Sequence, residues 1–278
     1  MPSGNAGGIA SHGRLQFPIA PQQTYPFPQL RGEEFASPQV SARAVLVKDV
    51  RSGRVLFAKN ESERLPIASL TKLLTALVVT ARVSLEEMVE IESVDINVAA
   101  FKTNLNVSEK VLVKDLLAAM LVASANDAAM ALARHSAGSV EDFVRFMNKE
   151  ARRLKMVDTN FKNPVGFDDP DHFSTAQDLA LLVEEFMTHS KLMRIVGQKE
   201  AVFYSLDNSR KHSLASTNKL LGKPQVLGIK TGYTNEAKGN IIILMEQPRY
   251  YFVVLGSANR EADANALINW VEENFQWE

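Results

Sequence analysis

The order of the apolar segments is the feature of this sequence that most restricts its fold. Near the beginning, residues 44–48 and 54–59 are rich in Val and Leu and flank a short turn, which is typical of a β-hairpin. Near the end, residues 240–246 and 250–257 form a second pair of strand-like segments. The chain between the two pairs is helical in pattern, and a last amphipathic helix is predicted over residues 262–275. This order predicts an α+β fold, with an antiparallel sheet flanked by helices and a helical lobe inserted between its first and last strands.

Composition excludes several classes of function. The formal net charge is -1 with both signs interleaved, so we expect no nucleic-acid partner. Cysteine is absent, which removes disulfides, thiolate zinc ligands and cysteine nucleophiles. The five histidines never pair at a spacing of four, and the acidic turn Asp168-Asp169-Pro170-Asp171-His172 is expected to be solvated. We therefore expect no metal and no cofactor.

The first part of the chain differs from the rest. Residues 1–41 are rich in Pro, Gly, Gln and Ser and show no apolar periodicity, so they are predicted to form an extended arm before a domain over residues 42–278. No segment approaches the roughly 18–20 apolar residues of a membrane span, and residues 1–10 lack a charged start followed by an apolar run. We expect neither a membrane anchor nor an export signal in this chain.

Ser69-Leu70-Thr71-Lys72 is the first candidate for chemistry. It opens an apolar run over residues 73–81, which predicts a buried helix. Residues three apart on a helix share a face, so the Lys72 amine can reach the Ser69 hydroxyl. Burial lowers the pKa of a lysine, which lets the neutral amine take the serine proton. The same pattern recurs from Ser216 to Lys219 without an apolar helix behind it, and a helix-cap role fits Ser69 about equally well when its pattern is considered alone.

Two further patterns follow in order. Ser124-Ala125-Asn126 is a polar turn between apolar helices predicted over residues 113–123 and 127–135, and considered alone it favours a capping role. Lys230-Thr231-Gly232 comes at the end of the strand-like segment 226–229. A lysine beside a hydroxyl can bind a carboxylate and glycine lets a substrate backbone approach, although an ordinary edge-strand lysine is the alternative. The ordered set of three motifs is typical of penicillin-binding proteins and class A β-lactamases.

The sequence over residues 44–270 resembles the low-molecular-mass penicillin-binding proteins of the D-alanyl-D-alanine carboxypeptidase family. The likeness extends beyond the three motifs to longer stretches, at residues 66–72, 124–133, 143–148, 163–166, 174–176 and 218–221. It implies a fold like that of serine β-lactamases and penicillin-binding proteins. On this resemblance, residues 42–278 form a penicillin-binding transpeptidase-like catalytic domain.

The resemblance also implies catalytic roles. Ser69 would attack the D-Ala-D-Ala carbonyl, Lys72 would accept its proton, and Ser124 would relay a proton to the leaving amine. The implied enzyme is a serine D,D-carboxypeptidase that removes the terminal D-alanine of peptidoglycan stem peptides through an acyl-enzyme, outside the cytoplasm. β-Lactam antibiotics would be covalent inhibitors of such an enzyme.

Substrate-binding residues are implied in the same way. Asn126 would hold the substrate amide, while Lys230 and Thr231 would bind the terminal carboxylate. Gly232 would let the substrate approach the strand. The backbone N–H groups of Tyr233 and of the nucleophile would form the oxyanion hole.

Three other functions remain as alternatives. A D,D-endopeptidase that cleaves peptidoglycan cross-links uses the same residues, and a catalytically silent wall-binding module would keep the same fold. A β-lactamase is less favoured, because residues 163–172 contain aspartates but not the glutamate followed by Leu-Asn that activates the deacylating water. Three differences from the family pattern bear on substrate preference. Ala125 stands where glycine is common, Lys102-Thr103-Asn104 replaces a glycine-bearing stretch, and Lys238 shifts the glycine expected after Tyr233-Thr234.

Overall fold

Eleven strands and eight helices are present in the described residues, which are 27–32, 36–247 and 249–277 of a computed structural model. The strands are β1 (Pro28–Leu30), β2 (Ala44–Asp49), β3 (Val55–Lys59), β4 (Met88–Glu90), β5 (Lys110–Leu112), β6 (Glu200–Tyr204), β7 (Lys211–Ala215), β8 (Val226–Thr234), β9 (Lys238–Met245), β10 (Tyr250–Ser257) and β11 (Phe275–Trp277). The helices are α1 (Thr71–Thr80), α2 (Ser93–Ile96), α3 (Val113–Val122), α4 (Asn126–Ala137), α5 (Val140–Arg153), α6 (Ala176–Met187), α7 (Ser190–Val196) and α8 (Arg260–Asn274).

The central sheet joins the two ends of the chain. Its five antiparallel strands lie in the order β3-β2-β10-β9-β8. Both predicted strand pairs therefore belong to one sheet, and α1 to α7 come between β3 and β8 in the chain. The predicted α+β fold is confirmed.

Alternation along the inner strands explains why they are apolar throughout. Successive strand residues point to opposite faces of a sheet. On β9, Ile242 and Leu244 pack in one buried cluster with the helical lobe, whereas Ile241 and Ile243 pack in a second cluster with residues of α8. Helices on both faces thus bury the sheet, and the edge strand β8 is left beside the start of α1.

The described part of the expected arm lies against the domain. Strand β1 pairs with β11, and the backbone carbonyl of Ala36 accepts a hydrogen bond from the indole of Trp270 (2.6 Å). Residues 1–26 and 33–35 of the expected arm lie outside the described residues. Within the parts of the chain that are described, no helix is long and apolar enough to cross a membrane.

Candidate active site

The candidate nucleophile lies in a short turn before α1. Ser69 is the central residue of a 3-10 turn over Ala68–Leu70, and α1 begins at Thr71, slightly later than a helix starting at Ser69 would. Ala68 has a left-handed backbone with φ +47°, a conformation that costs a non-glycine residue about 1–3 kcal/mol and persists only when its surroundings enforce it. The turn leaves Ser69 partly exposed at the head of a buried helix.

Lys72 is the buried partner of Ser69. Its Nζ lies 2.9 Å from Ser69 Oγ, 2.8 Å from Asn126 Oδ1 and 2.7 Å from the carbonyl oxygen of Val165. Burial and then the charge of Lys230 lower its pKa well below the ordinary value. The Asn126 and Val165 oxygens only accept hydrogen bonds, so two N–H groups of a neutral amine point at them and its lone pair is left for the Ser69 hydroxyl. Lys72 is therefore arranged to act as a base.

The predicted polar turn lies between α3 and α4. Ser124 is buried and has a left-handed backbone (φ +62°). Asn126 begins α4, and its side chain accepts from Lys72 and donates to the carbonyl oxygen of Ala99 (2.9 Å). The amide that was expected to hold the substrate therefore orients Lys72 and the segment near Ala99 in this structure.

The Lys-Thr-Gly motif lies within β8. The sequence suggested a strand end, but the ladder with β9 continues as far as Thr234 because apolar character is not required on an edge strand. Lys230 is buried and donates to the backbone carbonyl of Thr231 (3.0 Å). Burial, followed by the charge of Arg260, lowers the pKa of Lys230 to about 7. The Thr231 hydroxyl lies 2.8 Å from that of Thr217.

Two glycines allow the turn over Ala68–Leu70, named the nucleophile turn after its candidate nucleophile Ser69, to fit between its neighbours. A Cβ on Gly232 of β8 would lie 2.9 Å from the backbone nitrogen of Ser69. A Cβ on Gly166 would lie 1.9 Å from the carbonyl oxygen of Ala68, and Gly166 also has φ +93°. Both positions require glycine because backbone approaches backbone. Tyr233, next to Gly232, exposes 57% of its surface.

Most of the chain matches one known protein family. Residues 32–259, which include all three motifs, match the profile of the peptidase family S11, described as D-alanyl-D-alanine carboxypeptidase. This chain belongs to that carboxypeptidase family. The resemblance inferred from the sequence is confirmed.

Similar proteins agree with this membership. The D-alanyl-D-alanine carboxypeptidase DacF of Bacillus subtilis is 34% identical over 204 residues, which cover 71% of this chain and 52% of that protein. The Streptomyces K15 DD-transpeptidase structure matches with a TM-score of 0.80 at 27% identity, covering 85% of this chain and 99% of that one. A D-alanyl-D-alanine endopeptidase of Escherichia coli is 28% identical over 250 residues, covering 85% of this chain and 79% of that protein. The chain spans 52% to 65% of the length of the curated carboxypeptidases it matches.

Differences from the usual pattern of the carboxypeptidase family have a structural counterpart. Lys238 has φ +55°, the left-handed conformation that a glycine adopts without strain. The segment of residues 102–104 is fixed by Asp127, whose two carboxylate oxygens accept from the backbone N–H of Thr103 (2.9 and 2.8 Å). The unusual segment is thus tied to α4, next to Asn126.

Sequence reasoning missed several residues of this carboxypeptidase-family site. Arg260 donates to the carbonyl oxygen of Gly232 (2.8 Å), and Val165 reaches Lys72 through its backbone. Asp168 accepts from the Thr234 hydroxyl (2.6 Å), and His172 is buried, so the acidic turn is only partly solvated. Any residue type can supply a backbone carbonyl, so the contact of Val165 with Lys72 could not be predicted from residue type. The likeness of residues 163–166 to the family was the one indication in the sequence that this loop belongs to the site.

Proposed function

We propose that this chain is a serine D,D-carboxypeptidase that removes the terminal D-alanine of peptidoglycan stem peptides through an acyl-enzyme on Ser69. The observation that carries the proposal is the buried Lys72 amine, 2.9 Å from Ser69 Oγ and with a lowered pKa. A serine hydroxyl is a weak nucleophile until an adjacent base takes its proton. Membership of the carboxypeptidase family supports the same assignment.

Acylation follows from the positions of these groups. The neutral amine of Lys72 takes the Ser69 hydroxyl proton while Oγ attacks the carbonyl carbon of the penultimate D-alanine. The backbone N–H groups of Ser69 and Tyr233 receive the developing oxyanion. The C–N bond then breaks, and the proton passes from Lys72 through the Ser124 hydroxyl to the leaving amine of D-alanine. Lys72, neutral again, takes a proton from the water that attacks the ester carbonyl, and it returns this proton to Ser69 Oγ as the bond between the acyl carbon and Oγ breaks.

The terminal carboxylate of the substrate is assigned to β8. Lys230 in its ammonium form pairs with the carboxylate, and the Thr231 hydroxyl donates to it. Both groups are buried, so the ion pair forms away from bulk water, where it is strong. A free C-terminus is therefore the feature that this site recognises. Because stem peptides lie outside the cytoplasm, we infer that the enzyme acts in the periplasm or cell wall.

Labelled penicillin tests the assignment of the nucleophile. β-Lactams react with such serines as covalent inhibitors, so one adduct is expected, and peptide mapping should place it on Ser69. Ser69→Ala should abolish it. The matched control is Ser216→Ala, which removes the serine of the second Ser-x-x-Lys pattern and should leave the adduct unchanged. A wild-type protein without an adduct would contradict the proposal and would favour a silent wall-binding module.

Endopeptidase action is a second candidate, favoured by one observation. A D-alanyl-D-alanine endopeptidase is among the proteins similar to this chain, at 28% identity over 250 residues. Incubation with a purified cross-linked muropeptide and with a stem pentapeptide separates the two activities. Release of D-alanine from the pentapeptide alone supports carboxypeptidase action, whereas faster cleavage of cross-links supports endopeptidase action.

A further inference from the structure

His172 lies behind the nucleophile turn, outside the three motifs. We propose that it is a positioning residue, which acts through the Thr71 hydroxyl on the peptide group that precedes Ser69. The inference rests on Ser69 being the nucleophile, as proposed above. It assigns the buried end of the acidic turn a part in the reaction.

A chain of three hydrogen bonds runs from the loop to the turn. The backbone N–H of Lys162 donates to Nδ1 of His172 (3.2 Å), so Nδ1 carries a lone pair and the ring proton is on Nε2. Nε2 lies 2.8 Å from the Thr71 hydroxyl and donates to it. The Thr71 hydroxyl in turn donates to the carbonyl oxygen of Ala68 (2.8 Å). Each donor has one acceptor, so the direction of the whole chain is fixed.

The chain of hydrogen bonds ends at Ala68, whose backbone is strained. Ala68 is left-handed (φ +47°) and directly precedes Ser69. Its carbonyl oxygen is held by Thr71 on one side and lies against Gly166 on the other. Because a left-handed alanine relaxes unless its neighbours hold it, these contacts decide where the Ser69 hydroxyl and N–H point.

The surroundings of His172 keep the ring neutral. The side chain is buried, with Phe161 edge-on at 5.6 Å between ring centroids. The charged groups that face it are the carboxylates of Asp168 and Asp169 on its own loop, whereas α1 presents the uncharged Thr71 hydroxyl. Burial outweighs the two carboxylates and lowers the pKa of His172 to about 4. A protonated ring would place a second N–H at Nδ1, against the N–H of Lys162.

The test compares acylation rate constants for labelled penicillin at saturating concentration. His172→Ala and Thr71→Val should each lower the rate constant by about tenfold or more, because a misplaced nucleophile reacts slowly. The double variant should acylate no more slowly than the slower single variant, because both substitutions interrupt the same chain of hydrogen bonds. Thr71→Ser keeps the hydroxyl and should restore the rate.

A variant one helical turn further on is the matched control. The Thr75 hydroxyl donates to the carbonyl oxygen of Pro164 on the same loop (2.7 Å), and no bond joins it to Ala68. Thr75→Val should lower the melting temperature as Thr71→Val does but leave the acylation rate constant within about twofold, since Ala68 stays held. If His172→Ala does not fold, His172→Phe replaces it, because a phenyl ring fills the buried site but cannot donate to Thr71, and the same loss of rate is expected.

Three results would overturn the inference. Wild-type acylation rate constants in His172→Ala and Thr71→Val would show that the chain of hydrogen bonds does not position Ser69. An equal loss in Thr75→Val would show that loop attachment in general is what matters. A wild-type protein that forms no adduct on Ser69 would overturn the proposed function together with this inference, so the two failures are distinguishable.

Discussion

The charge of Lys230 on β8 lowers the pKa of Lys72 on α1, in addition to the larger effect of burial. Both lysines are buried, with at most 1% of their surface exposed. Two ammonium groups in one buried site repel each other, so the protonation of one disfavours that of the other. This repulsion favours the neutral amine at Lys72, which is the form that the proposed proton transfer requires.

Removing the second charge should change the pH dependence of acylation. Lys230→Gln removes a cation that lowers the pKa of Lys72, so that pKa rises and the neutral base is lost at a higher pH. The acid limb of the acylation rate, measured with labelled penicillin across pH, should move to higher pH. Lys219→Gln, a change at an exposed lysine, should leave the limb in place. An unmoved limb in Lys230→Gln would show that the two lysines are not coupled.

Removing the base should slow chemistry more than it harms folding. Lys72→Ala should lower the acylation rate by about 10²–10⁴, the usual contribution of a positioned base. The oxygens of Asn126 and Val165 lose a hydrogen-bond donor, which lowers the free energy of unfolding by about 1–3 kcal/mol for each unpaired buried group. Removal of the buried amine offsets part of this loss. Near-UV circular dichroism should show a folded protein, and wild-type acylation would exclude Lys72 from the mechanism.

Alanine substitutions at two left-handed glycines distinguish the effect of steric conflict from that of backbone strain. Gly166→Ala would place a Cβ 1.9 Å from the Ala68 carbonyl oxygen, so acylation should be lost and thermal stability should fall. Gly138 has φ +83°, but a Cβ at this position would meet no atom of the described residues within 4 Å. Gly138→Ala should cost only about 1 kcal/mol of stability and leave acylation unchanged. Equal acylation by both variants would contradict the role given to Gly166.

The carboxylate site predicts a preference for a free C-terminus. Lys230→Ala should raise the KM for a peptide ending in D-Ala-D-Ala because it removes the cation that pairs with the carboxylate. A peptide with an amidated C-terminus lacks that charge, so its already poor turnover should change little. Steady-state assays of both peptides make the comparison, and equal losses would remove carboxylate binding from the role of Lys230.

His172 predicts a stability change in mildly acidic solution. Its folded-state pKa of about 4 lies below the ordinary value of 6.5, so between these values the unfolded chain binds a proton that the folded protein does not. The free energy of unfolding should therefore fall as pH decreases from 6.5 to 4, by up to about 1.4 kcal/mol per pH unit. His172→Gln should remove this contribution in urea titrations at several pH values. An identical slope in both proteins would contradict the neutral, buried state of His172.

The features of the fold that could be predicted from the sequence are those that depend on local residue pattern. The strand pairs, the apolar helix after Ser69 and the order of the motifs follow from periodicity and residue type, and the structure brings Ser69, Lys72 and Asn126 into hydrogen-bond contact. Contacts made by backbone atoms or by residues distant in the chain were not predictable in this way. The Val165 carbonyl and the His172 ring are examples, because neither belongs to a spacing that implies a contact with α1.

The second Ser-x-x-Lys pattern shows why setting matters more than spacing. Ser216 and Lys219 have the same spacing as the candidate nucleophile and base, yet they lie in a turn before β8 rather than at the head of a buried helix. That turn still contributes, because Thr217 contacts the Thr231 hydroxyl. Thr217 therefore lies at the candidate site because of the tertiary fold, and its position in the Ser-x-x-Lys pattern did not predict this contact.

Release of D-alanine is the reaction assigned to Ser69 and can be measured directly. A stem pentapeptide ending in D-Ala-D-Ala is incubated with the wild-type protein and with Ser69→Ala, and free D-alanine is measured over many turnovers. We expect one D-alanine released per pentapeptide by the wild type and none above background by Ser69→Ala. Equal release by the two proteins, or no release by a folded wild-type protein, would contradict carboxypeptidase action through Ser69.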